Sequence, residues 1–364
     1  MRVFHYCPSI TSRDAIGYST VRLHRALLTA GVESLLVCDA NSLDRAPAGT
    51  MVVKDLQELL PNKRDVIIFH YSFADQNADL INQFSSKIIL VYHNITPGHF
   101  FRSQGMAGLA DACDAGRAAL PGIVQRADIC IGDSDYNRSD FPEAPDRIEH
   151  TIPVFYNDRF FRPSAVDHER FLNASSSGAV NLTFIGRLVP NKRIDNVIRV
   201  AGAIKNTIGM RPNLRIFGKI WDRDYFRYLE GIVLDLGLEN HVRFEVNQPG
   251  AELRAALASS DAFVTMSEHE GFMVPLLESF TAGCPVVGFK SSAVTETCGP
   301  TGALLPHADI EAVAGMAVAL KRDRDSRMAL IRSQSRRAQD FAEGRTWNKW
   351  RMILEDFVPQ LRNA

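Results

Sequence analysis

The sequence predicts an α/β protein built from two doubly wound, Rossmann-like domains. Three observations carry that expectation. Short apolar runs alternate with stretches of helical periodicity, the β-α-β pattern of a parallel sheet. The chain has 364 residues, which suits two domains rather than one. The alternation pauses at a polar connector, Asn157 to Gly178, with Pro163 and a Ser-rich end, and then restarts. The expected division is 1–165, 166–342 and a C-terminal helix over 343–364.

In the first half, Val3 to Cys7 reads as a strand and Ser9 to Gly17 as a polar loop. Tyr18 to Ala30 is a helix with Val21, Leu23, Ala26 and Leu27 on one face, ended by Gly31. Ser34 to Cys38, Val66 to His70, Lys87 to His93, Ala127 to Gly132 and Arg147 to Pro153 are further strands. Helical stretches run from Asp75 to Phe84 and from Met106 to Arg126, the latter interrupted by Pro121. In the second half, strands at Asn181–Ile185, Asn213–Phe217 and Val242–Val246 alternate with helices at Ile194–Asn206, Asp224–Leu236 and Glu252–Ser259. Ile310 to Leu320 is a helix, and a basic helical region follows to Phe341. Trp347, Trp350, Ile353, Leu354 and Phe357 then share one helical face, as packing residues do.

Composition narrows the function. Lys and Arg number 41 against 42 Asp and Glu, so no strong global field draws the chain to nucleic acid. No apolar run approaches a membrane span, and the N-terminus reads as a strand rather than a signal peptide. The six cysteines form no C-x-x-C pair, and several lie in apolar strands. Reduced, buried thiols in a cytoplasmic protein are expected, not a disulfide frame or zinc site.

The chemistry is concentrated in Val264 to Phe289, V-T-M-S-E-H-E-G-F-M-V-P-L-L-E-S-F-T-A-G-C-P-V-V-G-F. It reads as strand, loop, helix, turn and strand. Pro275 suits a helix start and Gly283 a left-handed cap. A loop entering a helix N-terminus offers unpaired N–H groups and the positive dipole end to a phosphate. Gly271 lets the backbone approach a ligand. Glu270 and Glu278 flank that place, and their carboxylates suit hydroxyl donors, a sugar on each side of a diphosphate. E-G-F-x-x-P-L-L-E resembles the E-x₇-E signature of retaining glycosyltransferases of the family-4 type. That resemblance implies the GT-B fold, two Rossmann-like domains facing a central cleft, with the C-terminal helix over 343–364 crossing back to pack on the first domain.

G-R-L-V-P-N-K-R, Gly186 to Arg193, resembles the same family's G-R-x₄-K motif. Arg187 and Lys192 are two cations at a strand-to-helix loop, suited to one diphosphate; the alternative is a solvated basic loop. The resemblance implies that Glu270 meets the donor sugar's hydroxyls with the amides of Gly271 and Phe272. Glu278 would then accept from the ribose, and Phe272 and Met273 would orient the donor. Met273 stands where the family often has Gly or Cys. His269 reads as a solvated loop residue. D-A-I-G-Y, Asp14 to Tyr18, resembles the family's Gly-rich loop, with Gly17 alone left to approach phosphate.

Y-H-N-I-T-P resembles the family's strand end bearing an active-site histidine, here His93, near the donor sugar. His5 and His70 read as structural or acceptor-side. G-D-S-D-Y-N-R, Gly132 to Arg138, resembles the family's loop that faces the acceptor, which implies an acceptor-side place for Asp133 and Ser134. Asp133 and Asp135 form a D-x-D, a metal-binding pattern in another glycosyltransferase class. With the basic diphosphate motif present, no metal and no cofactor is expected. The Arg-rich region Lys321 to Arg337 is either a solvated helix or a contact for an anionic membrane.

The resemblance implies a retaining hexosyltransferase with His93, Arg187, Lys192 and Glu270 at its centre. The donor is a nucleoside-diphosphate sugar, with GDP-mannose or a related GDP-sugar favoured over UDP-sugars. The acceptor is a glycan or lipid-linked saccharide of a surface polysaccharide, met in the cytoplasm or at the inner face of the membrane. Three alternatives stand beside it: a phosphorylase or synthase on the same fold, an NAD enzyme, and a non-catalytic sugar-binding subunit. The NAD reading lacks the G-x-G-x-x-G fingerprint.

Overall fold

A computed structural model describes residues 1–11, 14–81, 83–164, 166, 167, 169 and 178–363 of the chain. The expected boundary at 165 and the Ser-rich end of the connector, 174–177, lie outside the described residues. The chain divides into two compact units. The first comprises Met1–His99, Met106–Tyr156 and Phe341–Ala364; the second comprises Phe100–Gly105 and Asn157–Asp340.

The first unit carries a seven-stranded sheet. Its strands are β1 (Arg2–Tyr6), β2 (Glu33–Cys38), β3 (Met51–Val52), β4 (Val66–Tyr71), β5 (Lys87–Tyr92), β6 (Ile129–Gly132) and β7 (Ile148–Thr151). The order is β3-β2-β1-β4-β5-β6-β7, and every pairing is parallel. Parallel strands need crossovers and are covered on both faces, so they read as unbroken apolar runs. β4, V-I-I-F-H-Y, is buried at all six positions. The C-terminal helix Glu343–Leu354 belongs to this unit. Its Trp350, Ile353 and Leu354, with Val358 and Leu361, pack into one core with Val3, Leu23, Leu27 and Ile68.

The second unit has β8 (Val180–Ile185), β9 (Pro212–Gly218), β10 (Val242–Val246), β11 (Ala262–Thr265), β12 (Val286–Phe289) and β13 (Ala303–Leu305). They form a parallel six-stranded sheet in the order β10-β9-β8-β11-β12-β13. Its core joins helix Ile194–Asn206 through Ile194, Val197, Ile198 and Ala201 to Leu182, Phe184, Val264 and Val287 of the sheet. In each sheet the strand order reverses beside the first strand, between β1 and β4 and between β8 and β11. Doubly wound sheets take ligands at the carboxyl ends of the strands on either side of such a reversal.

Several expectations are adjusted. Helix Ala107–Arg126 runs through Pro121 without a break, because that proline is on the exposed side where its lost hydrogen bond faces water. Helix Ala15–Thr29 begins three residues earlier than expected, capped by Asp14, whose carboxylate accepts from the Gly17 amide at 2.8 Å. Between Asp75 and Phe84 only Ala78–Ile81 is helical among the described residues. β3, β13 and helix Ser292–Cys298 are additional; the two strands are too short to show a period and exist through pairing.

The basic region past Lys321 is not wholly solvated: three of its cations are engaged within the second unit. Lys321 pairs with Asp261 at 3.3 Å, and Arg327 donates to the carbonyls of Ser260 and Asp261. Arg337 donates to the carbonyls of Glu296 and Thr297. All six cysteines are free and buried. No helix among the described residues is long and apolar enough to cross a membrane.

Candidate functional site

The loops after β8 and β11, the two strands at the reversal, carry both motifs of the second unit. Gly186 leaves β8 with its amide bonded to the Phe217 carbonyl, and the Leu188 amide bonds to the Lys219 carbonyl. This close approach to β9 is possible only because residue 218 is glycine. A Cβ there would lie 2.0 Å from the Gly186 oxygen. The chain then makes a 3-10 turn, Pro190–Lys192, and Arg193 adopts φ 47° before the next helix. Lys192 is thereby turned toward the β11 loop. Its ammonium lies 2.5 Å from the carboxylate of Glu270, both side chains being largely buried. Burial lowers the Lys192 pKa; Glu270 opposes that shift, and the nearby charge of Arg187 adds to it. Arg187 itself is exposed, its guanidinium 5.6 Å from the centre of the Trp221 ring.

The β11 loop is hung from side chains. The backbone carbonyl of Asn191 accepts from the Glu268 amide at 2.9 Å, and its side-chain amide donates to the His269 carbonyl at 2.9 Å. Ser292 accepts from the Glu270 amide at 2.8 Å. Ser291 donates to the Ser267 carbonyl, and Thr297 to the Phe272 carbonyl at 2.6 Å. Arg193 bridges Asp195 and Glu268. Glu270 and Gly271 are thus held by groups that the motif does not contain. Asn191 stands inside G-R-x₄-K, so its place is legible there. Ser291, Ser292 and Thr297 carry no such signal.

Met273 precedes helix Val274–Ala282 with φ 69° and ψ 68°. That left-handed region explains why glycine suits the position: a Cβ is strained there. Met273 is retained with its side chain buried and its sulfur accepting from Thr265 at 3.7 Å. Phe272 is buried too, and so is His269, which was expected in solvent. Gly283 closes the helix with φ 72°. Glu278, one helical turn past Pro275, is half-buried and has no hydrogen-bond partner among the described residues. Burial pushes its carboxyl up to about 7.

In the first unit, the carboxyl ends of neighbouring strands bring together a line of buried groups that no single motif announced. His5 on β1, His70 on β4, His93 after β5 and Asp133 after β6 are all buried. His93 Nδ1 is 2.8 Å from Asp133 Oδ2, and its Nε2 is 3.0 Å from His70 Nδ1. The His70 and His93 rings stack at 5.2 Å, and His5 stacks on His70 at 6.1 Å. His5 Nε2 meets the Ser34 hydroxyl at 3.1 Å, and His24 Nδ1 reaches the same hydroxyl. With Asp133 ionised, His93 donates from Nδ1 and accepts from His70 at Nε2.

Burial, then the neighbouring histidines, holds His70 well below its ordinary pKa. Burial raises the Asp133 carboxyl, and His93 opposes the rise. Both ring nitrogens of His93 are taken by protein groups, so in this arrangement neither is open to a sugar hydroxyl.

Ser134 caps the short helix Asp135–Arg138 by accepting from the Asn137 amide at 3.1 Å. Asp135 pairs with Arg138 at 3.0 Å. Gly17 lies in the first turn of its helix rather than in a loop. A Cβ there would lie 2.2 Å from the Thr11 oxygen, so the close approach it permits is to its own chain, not to a phosphate.

Two parallel-sheet Rossmann-like units of this topology, with a C-terminal helix in the first unit's core, define the GT-B fold. Residues 167–337, within the second unit, match the family model Glycosyl transferases group 1. The structure of Anabaena Alr3699/HepE in complex with UDP and glucose superposes with a TM-score of 0.77, covering 98% of this chain and 100% of that one. At 17% identity that likeness speaks for the fold.

Among curated proteins, the GDP-mannose-dependent alpha-(1-6)-phosphatidylinositol monomannoside mannosyltransferase of Mycolicibacterium smegmatis is 29% identical over 54% of this chain and 54% of its own length. The D-inositol 3-phosphate glycosyltransferase of Saccharomonospora viridis is 26% identical over 66% of this chain and 58% of its own. The matched part thus spans about half the length of these curated relatives.

Proposed function

We propose that the chain is a retaining glycosyltransferase that moves a hexosyl group from a nucleoside-diphosphate sugar to a saccharide or lipid-linked acceptor. The observation that carries this reading is Glu278. A half-buried carboxylate without a partner is costly, and here it stands on the helix whose preceding loop holds Glu270 against Lys192. Ribose hydroxyls would supply the donors that Glu278 lacks. Arg187, Lys192 and the amides at the start of helix Val274–Ala282 would take the diphosphate, and the β11 loop the sugar.

Catalysis in this reading is electrostatic. The cations would stand where charge builds on the departing diphosphate; Lys192 is held against Glu270, whose loop is fixed by the hydrogen bonds around Asn191 and Ser292. Attack from the face of the leaving group, with its phosphate as base, gives retention. The donor favoured is a GDP-sugar such as GDP-mannose, supported by the likeness to the mannosyltransferase above; the UDP and glucose in the Anabaena structure keep UDP-sugars as the competing class. The acceptor side falls to the first unit, around Asp133 and Ser134. Polysaccharide synthesis at the cytoplasmic face of a membrane is the setting this reading implies.

The test is turnover. Arg187→Ala and Lys192→Ala should each raise the barrier by ~3 kcal/mol while the protein stays folded, as expected for a lost charge-assisted contact in the transition state. Folded variants that transfer at near-normal rates would remove both residues from the diphosphate and with them this reading.

A further inference from the structure

Beyond the two motif cations, the second unit holds a third. Lys219 follows β9, the strand beside β8, and its ammonium lies 5.9 Å from the centre of the Trp221 ring. The guanidinium of Arg187 lies 5.6 Å from the same ring centre. Trp221 is 48% exposed, an uncommon state for so large an apolar side chain. Nearby loop and strand cations have carboxylate partners: Arg193 with Asp195 and Glu268, Arg215 with Glu245, and Lys192 with Glu270. Among the described residues neither the Arg187 nor the Lys219 side chain has a hydrogen-bond or ion-pair partner. Two like charges gathered on one indole repel each other, and only the ring face offsets that. An anion with several oxygens between them is the complement of the arrangement.

We propose that Lys219 and Trp221 enlarge the Arg187–Lys192 anion site. Lys219 is a third cation for a diphosphate group, and Trp221 is a positioning residue that holds Arg187 and Lys219 on its ring. The proposal rests on the donor reading for the nucleoside part of the ligand alone. Glycine at 218 supports the placement, since it brings the β9 loop against the β8 loop and sets Lys219 at the height of Gly186 and Arg187.

The experiment is titration calorimetry on the full chain with GDP, UDP and inorganic pyrophosphate. The variants are Lys219→Ala, Trp221→Ala and Trp221→Phe, with Arg227→Ala as control, an exposed cation paired with Asp224. Lys219→Ala should weaken the bound ligand about tenfold at low salt, the scale of one charge-assisted contact, and the loss should shrink at high salt. Trp221→Ala should also weaken binding, and Trp221→Phe should restore it, because a ring face remains.

A Lys219→Ala variant within about twofold of the parent, or one no weaker than Arg227→Ala, overturns the third-cation role; that margin is small beside a tenfold step of ~1.4 kcal/mol. Trp221→Ala binding like the parent overturns the positioning role. Pyrophosphate binding that depends on Lys219, with neither nucleotide bound, supports the anion site and sinks the nucleotide-donor reading. A parent protein that binds none of the three overturns both.

Discussion

The ammonium of Lys192 and the carboxylate of Glu270 stand 2.5 Å apart, which joins the two motifs of the second unit into one structure. Separate roles for them, diphosphate for one and sugar for the other, are therefore not separable by single substitutions. Removing either leaves the other largely buried without its partner. Lys192→Ala and Glu270→Ala should each cost ~2 kcal/mol of stability, and the double variant about the same as either alone. Denaturant unfolding of the four proteins measures the coupling. Simple addition of the two losses would show that the pair is not an energetic unit.

Glu278 links stability to pH with a definite sign. Its carboxyl is raised from 4.5 to about 7 by burial. Between those values the folded chain holds a proton that the unfolded chain has released. Its contribution therefore falls as pH rises through that window, by at most ~3 kcal/mol. Glu278→Gln should remove this dependence. Melting temperatures at about pH 5, near the lower edge of the window, and about pH 8, roughly one unit above it, should draw together in the variant relative to the parent. Parallel losses in the two proteins would mean that Glu278 ionises normally.

The histidine line of the first unit has the opposite sign. Burial lowers His5 to about 3 and holds His70 well below 6.5. The unfolded chain takes up protons first as pH falls, so stability is present above about 6.5 and is lost below it. Acid unfolding followed by circular dichroism should be shallower in His5→Asn and His70→Asn than in the parent. A parent whose stability is flat from neutral pH to about 4 would contradict the neutral, buried state of both rings.

The motifs of the candidate site were legible because they are local: a strand, a loop and a helix start lie within a few residues of one another. They fall on the loops after β8 and β11, and the alternation of strands and helices located both sheets. What joins the motifs was not legible. The Lys192–Glu270 pair, the Asn191 clamp and the Gly218 approach connect loops far apart in the chain, and no periodicity encodes them. His93 was legible as a strand-end histidine. Its neighbours His70 and Asp133 follow from the order of β4, β5 and β6, which only the folded sheet supplies. Gly17 misled because a glycine near the first helix suggests a phosphate loop, and the Thr11 backbone occupies that space instead.

Transfer should proceed without a divalent metal. Charge on a departing diphosphate must be compensated, and Arg187, Lys192 and the helix amides are placed to do so. The D-x-D of the first unit is committed elsewhere, Asp133 to His93 and Asp135 to Arg138. The rate after treatment with EDTA should match the untreated rate. Activity lost in EDTA, restored by manganese and abolished by Asp135→Ala would revive a metal site at that loop.

The central claim is that the second unit binds a nucleoside-diphosphate sugar, and a thermal-shift screen tests it most directly. The full chain is heated with GDP, UDP, GDP-mannose and UDP-glucose, each alone. A ligand at about a hundred times its dissociation constant stabilises the folded state by ~2.7 kcal/mol, a shift readily measured. The account predicts that one nucleotide class raises the melting temperature, GDP and GDP-mannose ahead of UDP and UDP-glucose. It predicts that Arg187→Ala and Glu278→Ala abolish the rise. No shift with any of the four, or a shift that survives both substitutions, would contradict it.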